Sequence, residues 1–370
     1  MDNRQAKKYS NTKLILGIAE AVISFILVLL FVWLGFSFQL ENYLRQYAQN
    51  DYLLLLLFVI VLGVGSSALF SPLNYYLSYY LEHKYNLSNQ TFFKWIREGL
   101  KGTLVGAVIG LPIILLFYFV LNYFGIYWWL PFAFLMFILS VVFAQIVPVL
   151  ILPIFYKITP IENDSLKERI VRLSVGAGLK VENVFKFNMS KNTKKANAAF
   201  AGLGKTKRIL LGDTLLENYT EDEIETVIAH ELGHYKKKHI IKNIAIGTAS
   251  SFLIFFLVAQ FHNLSLNWFG FKDITQISSL PLMFLWGALF GMMQTPVSNY
   301  ISRKFEYEAD RYAILSTNKK EAFVKTLEKL TEQNLGDKEP HPLIEWFFYS
   351  HPSIKNRIAS IESSSSSLQK

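Results

Sequence analysis

Residues 230–234 read His-Glu-Leu-Gly-His, inside the stretch "ETVIAHELGHYKKKHIIKN" at 225–243. On an α-helix each residue turns about 100°, so positions 230 and 234 lie about 40° apart on one face. Two imidazoles placed this way can share one zinc ion. Glu231 sits beside that face, where its carboxylate can hold the attacking water. His239, five positions beyond His234, falls about 140° around a continuous helix and is expected to stay outside the site.

A hydrolytic zinc needs a third protein ligand and one open position. The extended pattern that takes a third histidine from the same segment is excluded, because its positions hold Lys237 and Ile240. The alternative is an acid from a separate downstream helix. "SRKFEYEADRYA", residues 302–313, carries Glu306 and Asp310 at i, i+4 on one face, with Glu308 nearly opposite. The economical assignment puts Glu306 on the metal and Asp310 behind it, accepting a hydrogen bond from a ligand imidazole. One zinc ion per chain is the expected content.

Several elements must bring these residues together. "TEDE", Thr220 to Glu223, is a capping box that starts the helix a few turns before His230. A second capping box, Ser165 with Glu168, opens "NDSLKERIVRLSVGAGL", which ends at glycine. "NVFKF", "NAAFAGLG" and "RILLGD" read as short strands, so residues 154–239 are expected to form an α+β unit. The tail "SSSSSLQK" reads as low-complexity and disordered.

Around this unit lie apolar segments long enough to cross a bilayer: 14–38, 53–73, 103–123, 128–149, 240–261 and 280–297. The last is the weakest, since it holds Gln294 and Pro296. The first lacks a following cleavage site and is expected to stay attached. Arg4, Lys7, Lys8 and Lys13 precede span one, and Lys84, Lys94, Arg97 and Lys101 follow span two. The loops after spans one and three hold only Arg45, and the loop after span five only Lys272. Lys and Arg accumulate on the cytoplasmic side, so both termini and residues 154–239 are expected there. The division is residues 1–153, with four spans, and residues 154–370, the metallopeptidase region with two more. Glu20 and Gln145 fall inside spans one and four and invite a polar interior.

Composition agrees. The chain of 370 residues is 52% hydrophobic, with 31 phenylalanines and a net charge of +9. No basic stripe with interleaved aromatics stands outside the apolar segments, which argues against nucleic-acid binding. Cysteine is absent, which excludes disulfides, thiolate ligands, a cysteine nucleophile and a lipid anchor on cysteine.

With these motifs in order, the sequence resembles the type I CAAX prenyl proteases, integral-membrane zinc metallopeptidases of gluzincin type. The similarity runs from about residue 70 to 361. It includes "LEHKYNLSNQT", "PIFYKITPI", "NAAFAGLGKTKRILLGDTLL", "HELGHYKKKH", "SRKFEYEAD" and "YSHPSIKNRI". The resemblance implies a helical polytopic membrane protein of about six to seven spans enclosing a chamber, closed by a cytoplasmic zincin-like α+β domain. Glu20 and Gln145 would then line that chamber. It also implies that Asn197, Ala198, Ala199 and Phe200 form an edge strand pairing with the substrate backbone. His351 and Arg357 match a C-terminal motif near the active site and are expected to stabilise the oxyanion. Two departures stand out: eukaryotic members carry a seventh span and a long insertion before the zinc helix. The compact form suggests a bacterial homologue in the cytoplasmic membrane, with peptide or protein C-terminal tails, prenylated or not, as substrates. The rival readings are a membrane quality-control protease, or a transporter or scaffold with structural zinc. Glu231, which no structural site requires, argues against the latter.

Overall fold

A computed structural model describes residues 3–178 and 184–366. Among them are six helices long and apolar enough to span a membrane: Asn3–Trp33, Asp51–Lys84, Phe92–Tyr127, Trp129–Phe155, His239–Phe269 and Ile277–Thr317. Each coincides with one of the six expected segments. Between 6% and 39% of each apolar window is covered by the rest of the chain, which leaves the remainder for lipid or an aqueous interior. The spans pack through a cluster that includes Leu54, Leu55, Phe58, Tyr118, Leu121, Trp128 and Phe132. Glu20 is half-buried and Gln145 exposed.

Span six departs from expectation in an instructive way. Leu280–Thr317 is one helix of 38 residues, so the acidic stretch lies on a helix separate from the motif helix but continuous with span six, beyond the expected end at Val297. Nothing between Val297 and Ser302 is a glycine or proline that would stop it, and Pro296 is absorbed within it. At 1.5 Å per residue the helix is about 57 Å long, against a hydrocarbon core of about 30 Å. The excess carries Glu306 and Asp310 clear of the membrane on a rigid rod.

The unit between spans four and five holds a sheet of four strands, β1 (Ile158–Pro160), β2 (Val184–Phe187), β3 (Ala198–Ala201) and β4 (Arg208–Gly212), in the order β1-β2-β4-β3. β2 and β4 run parallel, while β1 and β3 pair antiparallel to their neighbours. Ile170, Ile209, Leu211, Leu215, Ile228 and Leu232 form the core between the sheet and its helices. The three-residue β1, inside "PIFYKITPI", is too short to show a period in the sequence.

Two local expectations need correction. The helix Asp164–Ala177 is capped by Asn163, whose side chain accepts from the Leu166 amide, and not by Ser165. Asn is as good a cap as Ser, and the Ser165 hydroxyl instead donates to Glu221 at 2.8 Å. The C-terminal helix Ile354–Ser366 continues into the serine tract expected to be disordered. Buried Ile361, packed with Phe323 and Ile354, anchors its preceding turns; residues 367–370 of the tail lie outside the described residues.

The spans and the α+β unit are tied near β3. Glu82, at the end of span two, accepts from Lys13 at 2.7 Å, from Lys195 and from Tyr9. The loop after span two pairs with residues 190–194: the Asn89 amide donates to the Asn192 carbonyl, and the Lys194 amide to that of Leu87. Asn334 then brackets Ala196, accepting from its amide and donating to its carbonyl.

Candidate metal centre

The motif helix is Glu221–Lys236, and the capping box at its start is realised in both directions. Thr220 accepts from the Glu223 amide, and the Glu223 carboxylate accepts from the Thr220 amide at 2.9 Å. Ile224, Ile228 and Leu232 bury one face against the sheet core. Gly233, inside the five-residue motif, lies against span six at Ala309 so closely that a Cβ would sit 2.9 Å from the Ala309 Cα. The helix ends on three lysines, and Lys238 adopts φ 57° before span five begins at His239. The chain therefore does not run straight from motif to membrane.

Two imidazoles and one carboxylate converge. His230 Nε2 and His234 Nε2 lie 3.1 Å apart, and Glu306 oxygens lie 3.4 Å from the first and 3.3 Å from the second. One donor atom from each lies within 4.8 Å of the others. This is two nitrogens and one oxygen, without thiolates, on rigid helices: a donor set that fits zinc with one position left open. Behind His230, an Asp310 oxygen lies 2.8 Å from Nδ1, off the line of a straight hydrogen bond. Asp310 is itself gripped by Arg357, with Nε donating at 2.8 Å and Nη2 to the second oxygen. Burial disfavours charge on His230, but Asp310 and Glu306 outweigh it and push its pKa up to about 10. Desolvation disfavours the charge on Arg357, but Asp310 outweighs it and raises its pKa further.

Glu231 faces the edge of the sheet, where its Oε2 accepts the Phe200 amide at 2.9 Å. An antiparallel ladder alternates its amides, so the N–H and C=O of Ala198 also point away from β4. The cavity at this edge, about 510 Å³, is lined by Asn197, Ala198, His230, Glu231, Glu306 and His351, among others. Ala199 and Phe200 continue the strand, and the Phe200 ring packs on Tyr235. His351 is mostly exposed, with Nδ1 3.0 Å from a Glu306 oxygen.

The structure brings His230, Glu231, His234, Glu306, Asp310, His351 and Arg357 together beside the strand that carries Asn197, Ala198, Ala199 and Phe200. Arg357 turns its Nε and Nη2 donors to Asp310, while its Nη1 lies 3.9 Å from a Glu306 oxygen and the residue lines the same cavity. Sequence reasoning also set aside His239 and Glu308, yet His239 Nδ1 lies 2.8 Å from His234 Nδ1 and its Nε2 3.1 Å from Glu308. The turn at Lys238 undoes the 140° offset. Its signal was the run Lys236-Lys237-Lys238, since basic residues gather in the last turn of a helix.

Comparison with known proteins agrees with this geometry. Residues 160–365 match the model of peptidase family M48, and residues 2–157 match that of the CAAX prenyl protease N-terminal region, described as five membrane helices. Four of the long apolar helices fall within those N-terminal residues. The chain is 30% identical to the uncharacterized metalloprotease YhfN of Bacillus subtilis over 364 residues, covering 96% of this chain and 84% of that protein. It is 33% identical to CAAX prenyl protease 1 of Saccharomyces cerevisiae, covering 83% of this chain and 72% of the relative. The crystal structure of S. mikatae Ste24p superposes with a TM-score of 0.84 at 28% identity, over 98% of this chain and 90% of that one. The chain belongs to peptidase family M48, as a multi-pass membrane metalloprotease of the CAAX prenyl protease type.

Proposed function

We propose that the protein is a zinc endopeptidase that cuts near the C-terminus of membrane-associated proteins. His230 Nε2, His234 Nε2 and Glu306 would hold one zinc ion, which when bound supplies Lewis acidity to polarise the scissile carbonyl and acidify the attacking water. Glu231 takes the proton of that water and delivers it to the departing amine, as general base and then general acid. The outward amides and carbonyls of Ala198 and Phe200, flanked by Asn197 and Ala199, pair with the substrate backbone as an added strand. That pairing puts a substrate carbonyl where the Glu231 carboxylate now meets the Phe200 amide, releasing Glu231 for the water. Asp310, gripped by Arg357, fixes the ring of His230. His351, exposed at the cavity, and Arg357, whose Nη1 faces it, would donate to the oxyanion.

The observation that carries this reading is the acid beside the imidazole pair, aimed at an open sheet edge. A site that only held metal for structure would need neither Glu231 nor a strand left free. The relatives named CAAX prenyl proteases and the position of the site, where two spans emerge, support a prenylated or membrane-inserted tail as substrate. The charge alternation supports a cytoplasmic catalytic region and termini, in the cytoplasmic membrane of a bacterium. Residues 1–153 serve as the membrane region and 154–370 as the peptidase region built on spans five and six. The test is cleavage by purified protein of a prenylated peptide and its unprenylated twin. Cleavage of the prenylated peptide alone supports the lipid as a recognition element, and equal cleavage supports the quality-control reading. Cleavage of neither peptide, nor of a membrane-inserted tail, overturns the proposal.

A further inference from the structure

The two imidazoles turn their Nε2 atoms toward Glu306, which leaves each Nδ1 facing outward. The His230 Nδ1 meets Asp310. The His234 Nδ1 meets another imidazole, His239 Nδ1, at 2.8 Å. Two ring nitrogens this close hold one proton between them. If His234 keeps the Nε2 lone pair for a metal, its proton sits on Nδ1 and is donated to His239. His239 then carries its own proton on Nε2, which points at Glu308 Oε2 at 3.1 Å. Each donor in the chain then has one acceptor.

The surroundings fix this arrangement. His239 is 2% exposed and lies flat on Phe305, with centroids 4.2 Å apart and planes at 8°. Lys242 approaches the same Glu308 oxygen at 3.7 Å. Glu308 points away from the face that carries Glu306 and Asp310, so one helix supports the two imidazoles from two sides. The Lys238 turn places His239 there, at the first residue of span five.

We propose that His239 and Glu308 are positioning residues that lock the tautomer and ring orientation of His234, doing for that ligand what Asp310 does for His230. The inference rests on the zinc assignment above, and the experiment separates the two. Full-length variants in nanodiscs are loaded with zinc, and release to excess chelator is timed. Loss of such an outer partner costs about 10- to 100-fold in metal affinity, so H239L should release zinc about 10- to 100-fold faster than wild type. H239N, whose Oδ1 takes the place of Nδ1, should return most of that loss, and E308L should fall between H239L and wild type. The thermal midpoint of the metal-free protein should not separate H239N from H239L. H234A retaining zinc as wild type does would overturn the ligand assignment itself. With that control sound, wild-type release by H239L, no rescue by H239N, or a metal-free midpoint that tracks zinc loss across the variants would overturn the positioning role.

Discussion

Gly233→Ala tests whether the site depends on how closely two helices approach. The added Cβ would sit 2.9 Å from the Ala309 Cα, 3.1 Å from the Ala309 carbonyl oxygen and 3.1 Å from the Tyr312 Cβ. Carbon atoms pack best at about 3.5–4.0 Å, so the helices must part by on the order of 0.5–1 Å. Two of these atoms are backbone and cannot swing aside. Overpacking of this kind costs about 1–3 kcal/mol, while alanine regains up to about 1 kcal/mol of helix propensity over glycine. The fold therefore survives. The metal centre fares worse, because Gly233 adjoins His234 and Ala309 lies three residues from Glu306. Metal–ligand distances tolerate only about 0.2 Å, and an ångström of misplacement costs about 100-fold in rate. We expect zinc affinity, measured by chelator competition, to fall at least about tenfold, with cleavage falling by a similar or larger factor. Gly176→Ala is the control: Gly176 lies on the exposed face of its helix with nothing near its Cβ position, so that variant should be neutral or slightly stabilised. Wild-type zinc affinity and turnover in Gly233→Ala would refute the close-approach argument.

Glu231→Gln keeps size and one oxygen but cannot take a proton, so cleavage should drop about 100- to 10,000-fold with zinc content unchanged; cleavage within a few-fold of wild type would reject Glu231 as the base. Arg357→Met removes the guanidinium that donates to both oxygens of buried Asp310, leaving only the His230 ring beside it, and should lower stability by up to about 3–5 kcal/mol, read as a thermal shift that Arg357→Lys partly restores. Because the His230 pKa is pushed up to about 10 in the metal-free site, zinc must displace a proton there at neutral pH. Binding should release about one proton per zinc at pH 7, and apparent affinity should rise about tenfold per pH unit until pH nears that pKa; calorimetry in buffers of different ionisation enthalpy reads this directly. Reporter fusions at residue 370 and in the 39–52 and 262–279 loops should give opposite signals, and an external C-terminus would overturn the charge-based orientation.

Much of the site was legible because helices convert spacing into direction. His230 and His234 share a face at i, i+4, and so do Glu306 and Asp310, whatever surrounds them. The six apolar segments were legible for a similar reason, since bilayer thickness sets a length that composition reveals. What stayed hidden depended on where helices begin and end. His239 was set aside on the premise of a continuous helix, and a single residue at Lys238 removes that premise. The continuity of span six was missed for the converse reason, since a polar surface change at Ser298 reads like an end although nothing there breaks the backbone. Arg357 was placed beside the substrate because its motif lies near the site, but only the fold shows Asp310 claiming two of its donors.

These boundaries explain why the catalytic region is built on membrane helices. A metal site needs ligands from separate segments held to within a few tenths of an ångström, which short strands and loops rarely provide alone. Spans five and six form a hairpin whose second arm is long enough to leave the membrane as a continuous rod. Its first arm starts at the Lys238 turn, which frees the motif helix to lie against that rod instead of extending the span. Gly233 sets the distance between them, while Glu306 and Asp310 reach His230 and His234 from one face of the rod and Glu308 reaches His239 from another. The bilayer therefore acts as part of the active-site scaffold. Strain that tilts span six should reach zinc retention through Ala309 and Glu306 before it unfolds the sheet.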